Sequence, residues 1–305
     1  MQQQAYRESR VIASDVSERQ SKSNFKKSKK IRGWRETIPL VQESFRDYEE
    51  VTVMLDSSTL TFKHFTDPRV KSNPGFIEGL SGPLMLATDK SGRKYIVKHA
   101  CFHNAANELV ASWLGYKIGA PTPHAYLLNP SEKFPARYGV AIQFIDGLKA
   151  VDKENLTEQM QQDIIAQFAL NILIDTDDNI QMSEVGGRVY SMDFSEAFYV
   201  SDTMMLKAFL FNKDAGKAWA DNKLDAFCDY MRRLSFDAAC EFAHELHMDP
   251  EQMKTGMIAV AKKVLSITDE EIDALADELS KMYPEGYADY YAGCIYAMQE
   301  RMKMF

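Results

Sequence analysis

The chain has 305 residues and a formal net charge of -8, so it is long enough to bury a sizeable core as one large domain or as two lobes. Its acidic balance argues against a protein whose main role is to coat nucleic acid, because phosphate binding draws on Lys and Arg. No apolar run approaches the roughly 20 residues that a membrane span needs. The polar start MQQQAYRESR lacks the apolar core of a signal peptide.

The four cysteines are widely separated and form no Cys-x-x-Cys motif. This spacing disfavours both a zinc site and a disulfide framework, and it favours reduced, mostly buried thiols. Together with the polar start of the sequence, the cysteine pattern predicts a cytoplasmic protein.

Residues 1–35 are rich in Gln, Ser, Lys and Arg and have few apolar positions. Such a composition does not bury enough apolar surface to offset its own ordering entropy, so we expect a disordered or loosely docked basic arm. A solvated charged tail is the favoured interpretation, and a contact between this arm and an acidic partner or nucleic acid is the alternative.

A β-rich region is predicted over residues 36–147. Its first strand is predicted from the alternating pattern of residues 50–60, with a continuation to residue 65. Two further strands, 84–88 and 94–98, are joined by a short turn that contains a glycine.

The loop before the strand at 84–88 is rich in Gly and Pro and contains Gly79, Ser81 and Gly82. A loop of this kind can present backbone N–H groups to the phosphates of a nucleotide. An ordinary surface turn explains the glycines equally well.

Lys98 closes the strand KYIVK, and Glu108 follows ten residues later on a helix predicted over 105–118. A lysine at a strand end, paired with a helical glutamate, can hold an ammonium group against nucleotide phosphates. A surface lysine and a solvated helical glutamate are the alternative for each residue taken separately.

Two more strands are predicted at 124–128 and 138–145, and the second ends in the turn Asp146-Gly147. The backbone groups from Gln143 to Ile145 are placed to contact a purine if this turn lines a ligand cleft. An interior strand without a ligand is equally compatible with the apolar pattern.

Two short apolar segments, 172–174 and 189–192, are each followed by carboxylates. We predict that they form the strands of a β-hairpin, because a Gly-Gly pair between them can supply the positive φ of a tight turn. The hairpin would bring Asp193 close to the acidic loop 175–179. Carboxylates in such a cluster suit Mg²⁺, whereas a polar loop without a metal is the alternative.

Helices dominate the predictions for residues 148–305. The predicted helices are 157–170, with Asn155 or Thr157 as the cap, 204–211, 213–231, 235–247, 250–264, 269–282 and 286–304. Thr268 and the acidic residues after it are typical of a capped helix start.

These parts occur in an order that resembles the HipA-like kinases and their relatives among the phosphatidylinositol kinases. The resemblance spans roughly residues 67–284 and is carried by the motif GLSG at 79–82, by Lys98 and Glu108, and by the two acidic segments. It implies an α+β, two-lobed protein-kinase-like fold, with a β-rich N-lobe at 36–147 and a mainly helical C-lobe at 148–305.

Transferred by position, the resemblance makes Lys98 the ligand of the ATP phosphates, with Glu108 orienting it. Asp193, which is followed by Phe and Ser instead of Phe and Gly, becomes the Mg²⁺ ligand. Asp177 falls at the catalytic position, and Asp175 takes that place if the register differs. The expected second metal ligand, an asparagine, falls at Met182, so Asn179 would have to substitute for it.

The residues and the resemblance together predict a phosphotransferase that uses ATP and Mg²⁺ and acts on a Ser or Thr hydroxyl of a protein. Phosphoryl transfer depends mainly on positioning and charge neutralisation, which a lysine, Mg²⁺ and carboxylates provide. A nucleotide-binding pseudokinase is the first alternative, because Met182 replaces the metal-binding asparagine. A structural or interaction protein without ATP binding is the second.

Overall fold

The structure is a computed structural model that describes residues 54–65, 84–99, 102–176, 181–198, 236, 243–283 and 287–305. All of them belong to one of the two compact units into which the chain divides, made of residues 52–201 and 230–305. Several predicted features lie outside the described residues: the basic arm, the glycine loop with Gly79, Ser81 and Gly82, the acidic loop residues Asp177 and Asn179, and the helices at 204–211 and 213–231.

The described residues form a mixed α+β structure, as predicted. In chain order the elements are β1 (Met54–Leu55), β2 (Thr61–His64), β3 (Leu84–Thr88), β4 (Lys94–His99), α1 (Phe102–Ile118), β5 (Ala125–Leu128), β6 (Gly139–Gln143), β7 (Lys149–Ala150), α2 (Glu158–Ile174), β8 (Gln181–Val185), β9 (Arg188–Met192), α3 (Pro250–Ala261), α4 (Asp269–Ser280) and α5 (Tyr287–Met302).

Six strands form one sheet in the order β1-β5-β6-β4-β3-β2. The pairing is antiparallel except between β1 and β5. The predicted strand through 50–60 is wrong where it is described, because β1 ends at Leu55 and a short 3-10 helix, Ser57–Thr59, follows. Asp56 causes this break, since its carboxylate accepts the Ser58 N–H at 3.0 Å and so competes with strand pairing.

One face of the sheet packs into an apolar core. Its buried members from the strands and the neighbouring loops are Leu60, Ala87, Tyr95, Val97, Leu128, Phe134 and Ala141. Gly139 makes room for the Phe134 ring, because a Cβ atom at this glycine would lie 2.4 Å from two ring carbons. The core therefore fixes strands β3, β4 and β6 against one another.

The opposite face of the sheet carries Lys98. Residues that lie directly opposite each other in antiparallel strands share a face, so Leu86, Ile96 and Ile142 form a row on it, with Val140 beside Lys98. Helix α1, which contacts β5 and β6, lies over part of this face, because its Glu108 reaches Lys98. The sheet thus presents one lysine and several apolar side chains next to a helix.

A second sheet has the strand order β7-β8-β9. The predicted Gly-Gly turn is confirmed, since Gly186 and Gly187 have φ values of 59° and 74° between β8 and β9. The predicted strand at 172–174 is wrong, because these residues form the last turn of α2. Leu173 and Ile174 continue the buried side of that helix, and a three-residue apolar run does not distinguish a strand from a helix end.

The helices after residue 249 follow the predictions closely. Helix α3 starts at Pro250 after the N-cap Asp249 and ends at Ala261, where a 3-10 helix, Lys262–Ser266, replaces the rest of the predicted helix. Thr268 and Glu271 form a complete capping box at the start of α4.

The helix predicted over 235–247 is wrong at its described end. Residues His244–Leu246 form a 3-10 helix there. His247 takes a left-handed backbone with φ of 52°, and a left-handed residue at this place ends a helix.

No helix in the part of the chain that the structure describes is long and apolar enough to cross a membrane. The two-lobed arrangement and the boundary between residues 147 and 148 stay predictions.

Candidate functional site

Lys98 lies near the end of β4, and its ammonium group is held between two carboxylates. Its Nζ atom donates to Glu108 Oε1 at 2.7 Å and to Asp193 Oδ1 at 2.6 Å. Burial opposes the charge of this ammonium, but the two carboxylates outweigh it and raise the pKa of Lys98 above its usual value. Lys98 therefore remains a cation throughout the neutral range.

Glu108 comes from the buried side of α1 and is only 2% exposed. Its second oxygen, Oε2, accepts the backbone N–H of Phe194 at 3.1 Å. Burial raises the pKa of this carboxyl group, and the Lys98 ammonium opposes the rise. The contact between Lys98 and Glu108 expected from the sequence is present, and Glu108 also ties Lys98 to the segment after β9.

Asp193 follows β9 directly and has a left-handed backbone with φ of 69°. Its carboxylate accepts from Lys98 and from the Ser195 hydroxyl, at 3.1 Å in the second case. The Asp193 side chain is 37% exposed, so the carboxylate is held by the protein and is still open to solvent. The structure thus joins β4, α1 and the end of β9 at one point.

The hairpin that carries Asp193 is fixed by a buried carboxylate on α2 that the sequence reasoning missed. Asp163 accepts two hydrogen bonds from the Arg188 guanidinium, at 2.8 and 3.0 Å, and the Val189 N–H at 3.0 Å. Gln159 adds a fourth hydrogen bond at 2.9 Å. The sequence signal was a row of polar residues four apart, Asp163, Gln167 and Asn171, among the apolar residues of a predicted helix.

Apolar side chains extend the Lys98 face of the sheet. Leu86 and Ile96 are half-buried and paired across β3 and β4. The alternation of β4 could have indicated this surface, because Ile96 lies two residues before Lys98 and so on the same face. The surface is suited to cover one side of a planar, apolar-faced group next to the ammonium.

Two phenylalanines lie on the same face of the sheet by the strand alternation. Phe65 follows β2 and Phe144 follows β6, and their rings meet edge to face with centroids 6.1 Å apart. The Lys94 ammonium lies 5.9 Å from the centroid of the Phe144 ring. Neither aromatic residue was singled out in the sequence.

Gln143 and Ile145, predicted to offer backbone groups to a purine, lie at the end of β6 and just after it. The Gln143 N–H donates to the His124 carbonyl at 2.7 Å, and the Phe144 N–H donates to the Lys94 carbonyl at 2.9 Å. These two donors are therefore engaged within the sheet. Ile145 is half-buried and precedes the turn at Gly147, whose φ is 79°.

Asp175 lies at the C-terminal cap of α2 with φ of 45°, next to the hairpin. Asp177 and Asn179 are outside the described residues. Met182 lies within β8, where it pairs with Ser191. The described residues contain no group of three His, Cys, Asp or Glu side chains placed to hold a metal, so a metal at Asp193 would need ligands from 177–180, from the substrate or from water.

The arrangement holds one permanent cation between two carboxylates, beside an apolar strand face. When both carboxylates are ionised the three groups carry one net negative charge. A polyphosphate would therefore bind here together with a further cation, because its own charges repel the carboxylates. Carboxylate oxygens are the donors that Mg²⁺ prefers.

Comparisons with known proteins add little to this geometry. No protein-family model matches the chain, and no curated protein sequence matches it significantly. Among solved structures, the chain is similar to the crystal structure of a Helicobacter pylori proinflammatory kinase, CtkA, with a TM-score of 0.35 and 14% sequence identity. That similarity covers 76% of this chain and 95% of the other, and at this TM-score it carries no argument about fold or activity.

Proposed function

We propose that the chain is a phosphotransferase that uses ATP and Mg²⁺ and has the two-lobed, protein-kinase-like fold of the HipA-like kinases. The single observation that carries the proposal is the contact of the Lys98 ammonium with Glu108 at 2.7 Å and with Asp193 at 2.6 Å. A lysine held by a helical glutamate next to a metal-binding aspartate is the arrangement that phosphoryl transfer uses to position a nucleotide.

Lys98 would bind the α- and β-phosphates of ATP. An ammonium group has three N–H donors, and two of them reach Glu108 and Asp193. The third would reach a phosphate oxygen while Glu108 keeps the side chain in place. The glycine loop that contains Gly79, Ser81 and Gly82 would cover the phosphates with its backbone N–H groups.

The nucleotide base would lie against the half-buried side chains of Leu86 and Ile96. This surface shares the sheet face with Lys98, so a base placed there keeps its phosphates within reach of the ammonium. Phe65 and Phe144 flank the same face and would contact the base, with Gln143 and Ile145 at the rim.

Asp193 and Asn179 would hold Mg²⁺, with phosphate oxygens and water as further ligands. When bound, Mg²⁺ neutralises the negative charge that develops on the transferred phosphoryl group. The chain's own part is to keep the Asp193 carboxylate oriented, through Lys98 and the Ser195 hydroxyl.

Asp177 would accept the proton of the attacking hydroxyl group, which the resemblance assigns to a Ser or Thr of a protein substrate. Asp175 is the second candidate for this role if the loop register differs. In the balanced reaction, the bond from the γ-phosphorus to the β–γ bridging oxygen breaks, a bond to the acceptor oxygen forms, and ADP leaves.

A nucleotide-binding module without phosphoryl transfer is the second candidate function. Met182 favours it, because the resemblance requires a metal-binding amide at a position where the structure has a thioether side chain in the β8 ladder. Such a protein would bind ATP through Lys98 and the apolar strand face and would not turn it over.

Binding and turnover, measured on the same purified full-length chain, decide between these functions. ATP binding is followed by the rise in melting temperature with MgATP, and transfer is followed with γ-labelled ATP, first as autophosphorylation. We expect both signals in the wild type, and we expect Lys98→Met and Asp193→Asn to lose transfer. Asp177→Asn should lose transfer and keep the ATP shift, and Asp175→Asn should do so instead if it is the base.

Lys149→Met is the matched control for Lys98→Met. Lys149 also forms an ion pair, with Glu184 at 2.7 Å, but its side chain is 71% exposed and lies on β7. This control should keep both signals. An ATP shift without turnover selects the nucleotide-binding module, and the absence of both signals refutes the two functions together.

A further inference from the structure

The backbone from residue 193 to residue 198 is strained at both ends. Asp193 has φ of 69° and Phe198 has φ of 62°. Left-handed backbone is uncommon outside glycine and costs on the order of 1–3 kcal/mol per residue, so it persists only where the surroundings impose it. For Phe198 the bulky side chain adds to the cost. Groups outside this segment must therefore hold its shape.

Two successive residues of α1 hold the start of the segment. Glu108 accepts the Phe194 N–H at 3.1 Å, and Asn107 donates from Nδ2 to the Ser195 carbonyl at 2.7 Å. Both side chains are almost fully buried, with exposures of 1% for Asn107 and 2% for Glu108. The carboxylate of Asp193 is thus followed by two backbone groups that α1 fixes in space.

The Asn107 amide is in turn oriented by a tyrosine of α5. The Tyr291 hydroxyl donates to Asn107 Oδ1 at 2.5 Å, and the Tyr287 hydroxyl lies 3.2 Å from that of Tyr291. A hydroxyl group has one hydrogen to donate. Because Tyr291 donates its hydrogen to Asn107, Tyr287 is the donor in the hydrogen bond between the two tyrosines. The result is a directed chain of hydrogen bonds from Tyr287 through Tyr291 and Asn107 to the Ser195 carbonyl.

Water does not reach this series of hydrogen bonds, since Tyr287 and Tyr291 are fully buried. Burial also raises the pKa of both phenols well above their usual value, so they keep their protons as donors. An unpaired Asn107 oxygen in this place would cost the desolvation of a buried polar group. The orientation of the amide is therefore determined by Tyr291.

The neighbouring residue of α5 holds the other end of the segment. The Tyr290 hydroxyl donates to the Phe198 carbonyl at 2.7 Å, and the Phe198 N–H donates to the Ile174 carbonyl at the end of α2. Of these adjacent tyrosines of α5, Tyr290 thus binds the carbonyl of Phe198 directly, and Tyr291 acts on the Ser195 carbonyl through Asn107.

We propose that Tyr291 and Asn107 are positioning residues for Asp193, and that they act by fixing the Ser195 carbonyl so that the Asp193 carboxylate faces Lys98. The proposal rests on the proposed function, because the buried hydrogen bonds would orient Asp193, the residue that would hold Mg²⁺. Neither residue touches the nucleotide or the reacting atoms.

The test compares Tyr291→Phe, Asn107→Leu and the double variant with the wild type, using the full-length chain. Tyr291→Phe removes one hydroxyl group and keeps the ring that packs on Phe198. Tyr296→Phe is the matched control. It also removes a hydroxyl group from α5, but this hydroxyl interacts with Asp269 and not with the 193–198 segment.

The turnover number at saturating ATP should fall about tenfold in Tyr291→Phe, the effect of about one hydrogen bond. The Mg²⁺ concentration for half-maximal activity should rise severalfold. A merely structural defect would lower the rate by the same factor at every Mg²⁺ concentration and leave this midpoint in place. The double variant should be no worse than Asn107→Leu, because the two residues act in one chain.

A second readout does not depend on catalysis. Amide hydrogen exchange of the 193–198 peptide should be about tenfold faster in Tyr291→Phe than in the wild type and unchanged in Tyr296→Phe. If the wild type does not turn over ATP, the proposed function fails and the exchange data alone decide this inference. Three results would each overturn the inference. They are an unchanged exchange rate in Tyr291→Phe, an unchanged Mg²⁺ midpoint in an active Tyr291→Phe enzyme, and additive effects of the two substitutions in the double variant.

Discussion

Replacing Lys98 with methionine tests whether the Lys98 ammonium group is what compensates the buried negative charge of Glu108. Methionine keeps most of the volume of the lysine stem and removes the charge. Glu108, which is 2% exposed, would then be left without its counter-charge at the site where Asp193 is also close to it. The substitution should therefore destabilise the fold much more than the loss of an exposed lysine does.

The structure limits the size of this effect. Removing one partner of a buried ion pair costs about 3–5 kcal/mol. The side chains of Lys98 and Asp193 keep exposures of 18% and 37%, so water relieves part of the penalty and the lower end, about 3 kcal/mol, is expected. For a domain of this size, about 3 kcal/mol lowers the melting temperature by about 6–12 °C.

A second substitution makes the prediction specific. In Lys98→Met/Glu108→Gln the buried side chain is neutral and still accepts the Phe194 N–H, so the double variant should recover about 1–2 kcal/mol relative to Lys98→Met. Urea unfolding at pH 7 measures the free energy of unfolding of the single and of the double variant. Lys149→Met, which loses an exposed ion pair, should change stability by less than about 1 kcal/mol.

A double variant that is as unstable as Lys98→Met, or more so, would show that the charge of Glu108 is not the cause. The ion-pair reasoning would then be wrong, and the loss in the single variant would have to come from packing around the lysine stem.

Further predictions concern pH, the hairpin and the core. The raised pKa of Lys98 means that folding strengthens proton binding, so its stabilisation is complete below about pH 10 and falls progressively as the pH rises further. The difference in unfolding free energy between wild type and Lys98→Met, measured in urea, should stay constant up to about pH 10 and shrink as the pH is raised to about 12; a difference that stays constant over the whole range would contradict this. Asp163→Asn, which breaks the paired contact with Arg188, should cost about 3 kcal/mol in the same assay, and a loss below about 1 kcal/mol would mean that the pair contributes little. Gly139→Ala should cost about 1–3 kcal/mol because its Cβ would overlap the buried Phe134 ring; an unchanged melting temperature would show that the ring can move.

Much of the local structure could be predicted from residues that are close in sequence. The alternation of KYIVK predicts β4, the Gly-Gly pair predicts the turn between β8 and β9, and Thr268 with Glu271 predicts the start of α4. In each case the signal and the structure that it specifies lie within a few residues. The helix end at 172–174 was mistaken for a strand because a run of three apolar residues is too short to show either a helical or a strand period.

The candidate site could be predicted only in part. Lys98 and Glu108 are ten residues apart on adjacent elements, so their pairing follows from the strand and the helix that carry them. The roles of Asp163 and Asn107 could not be predicted, because a buried polar side chain looks like any other until its partners are known.

By itself the sequence determined which side chains are available and how each short segment folds: a lysine at a strand end, a glutamate on the inner side of a helix, and an aspartate after a hairpin strand. Only the tertiary structure decided that these groups meet, since Lys98 contacts Asp193 across 95 positions and Tyr291 contacts Asn107 across 184. The physical reason is that hydrogen bonds within a helix or a turn are specified by neighbours, whereas contacts over such separations depend on how whole helices and sheets pack around a shared core.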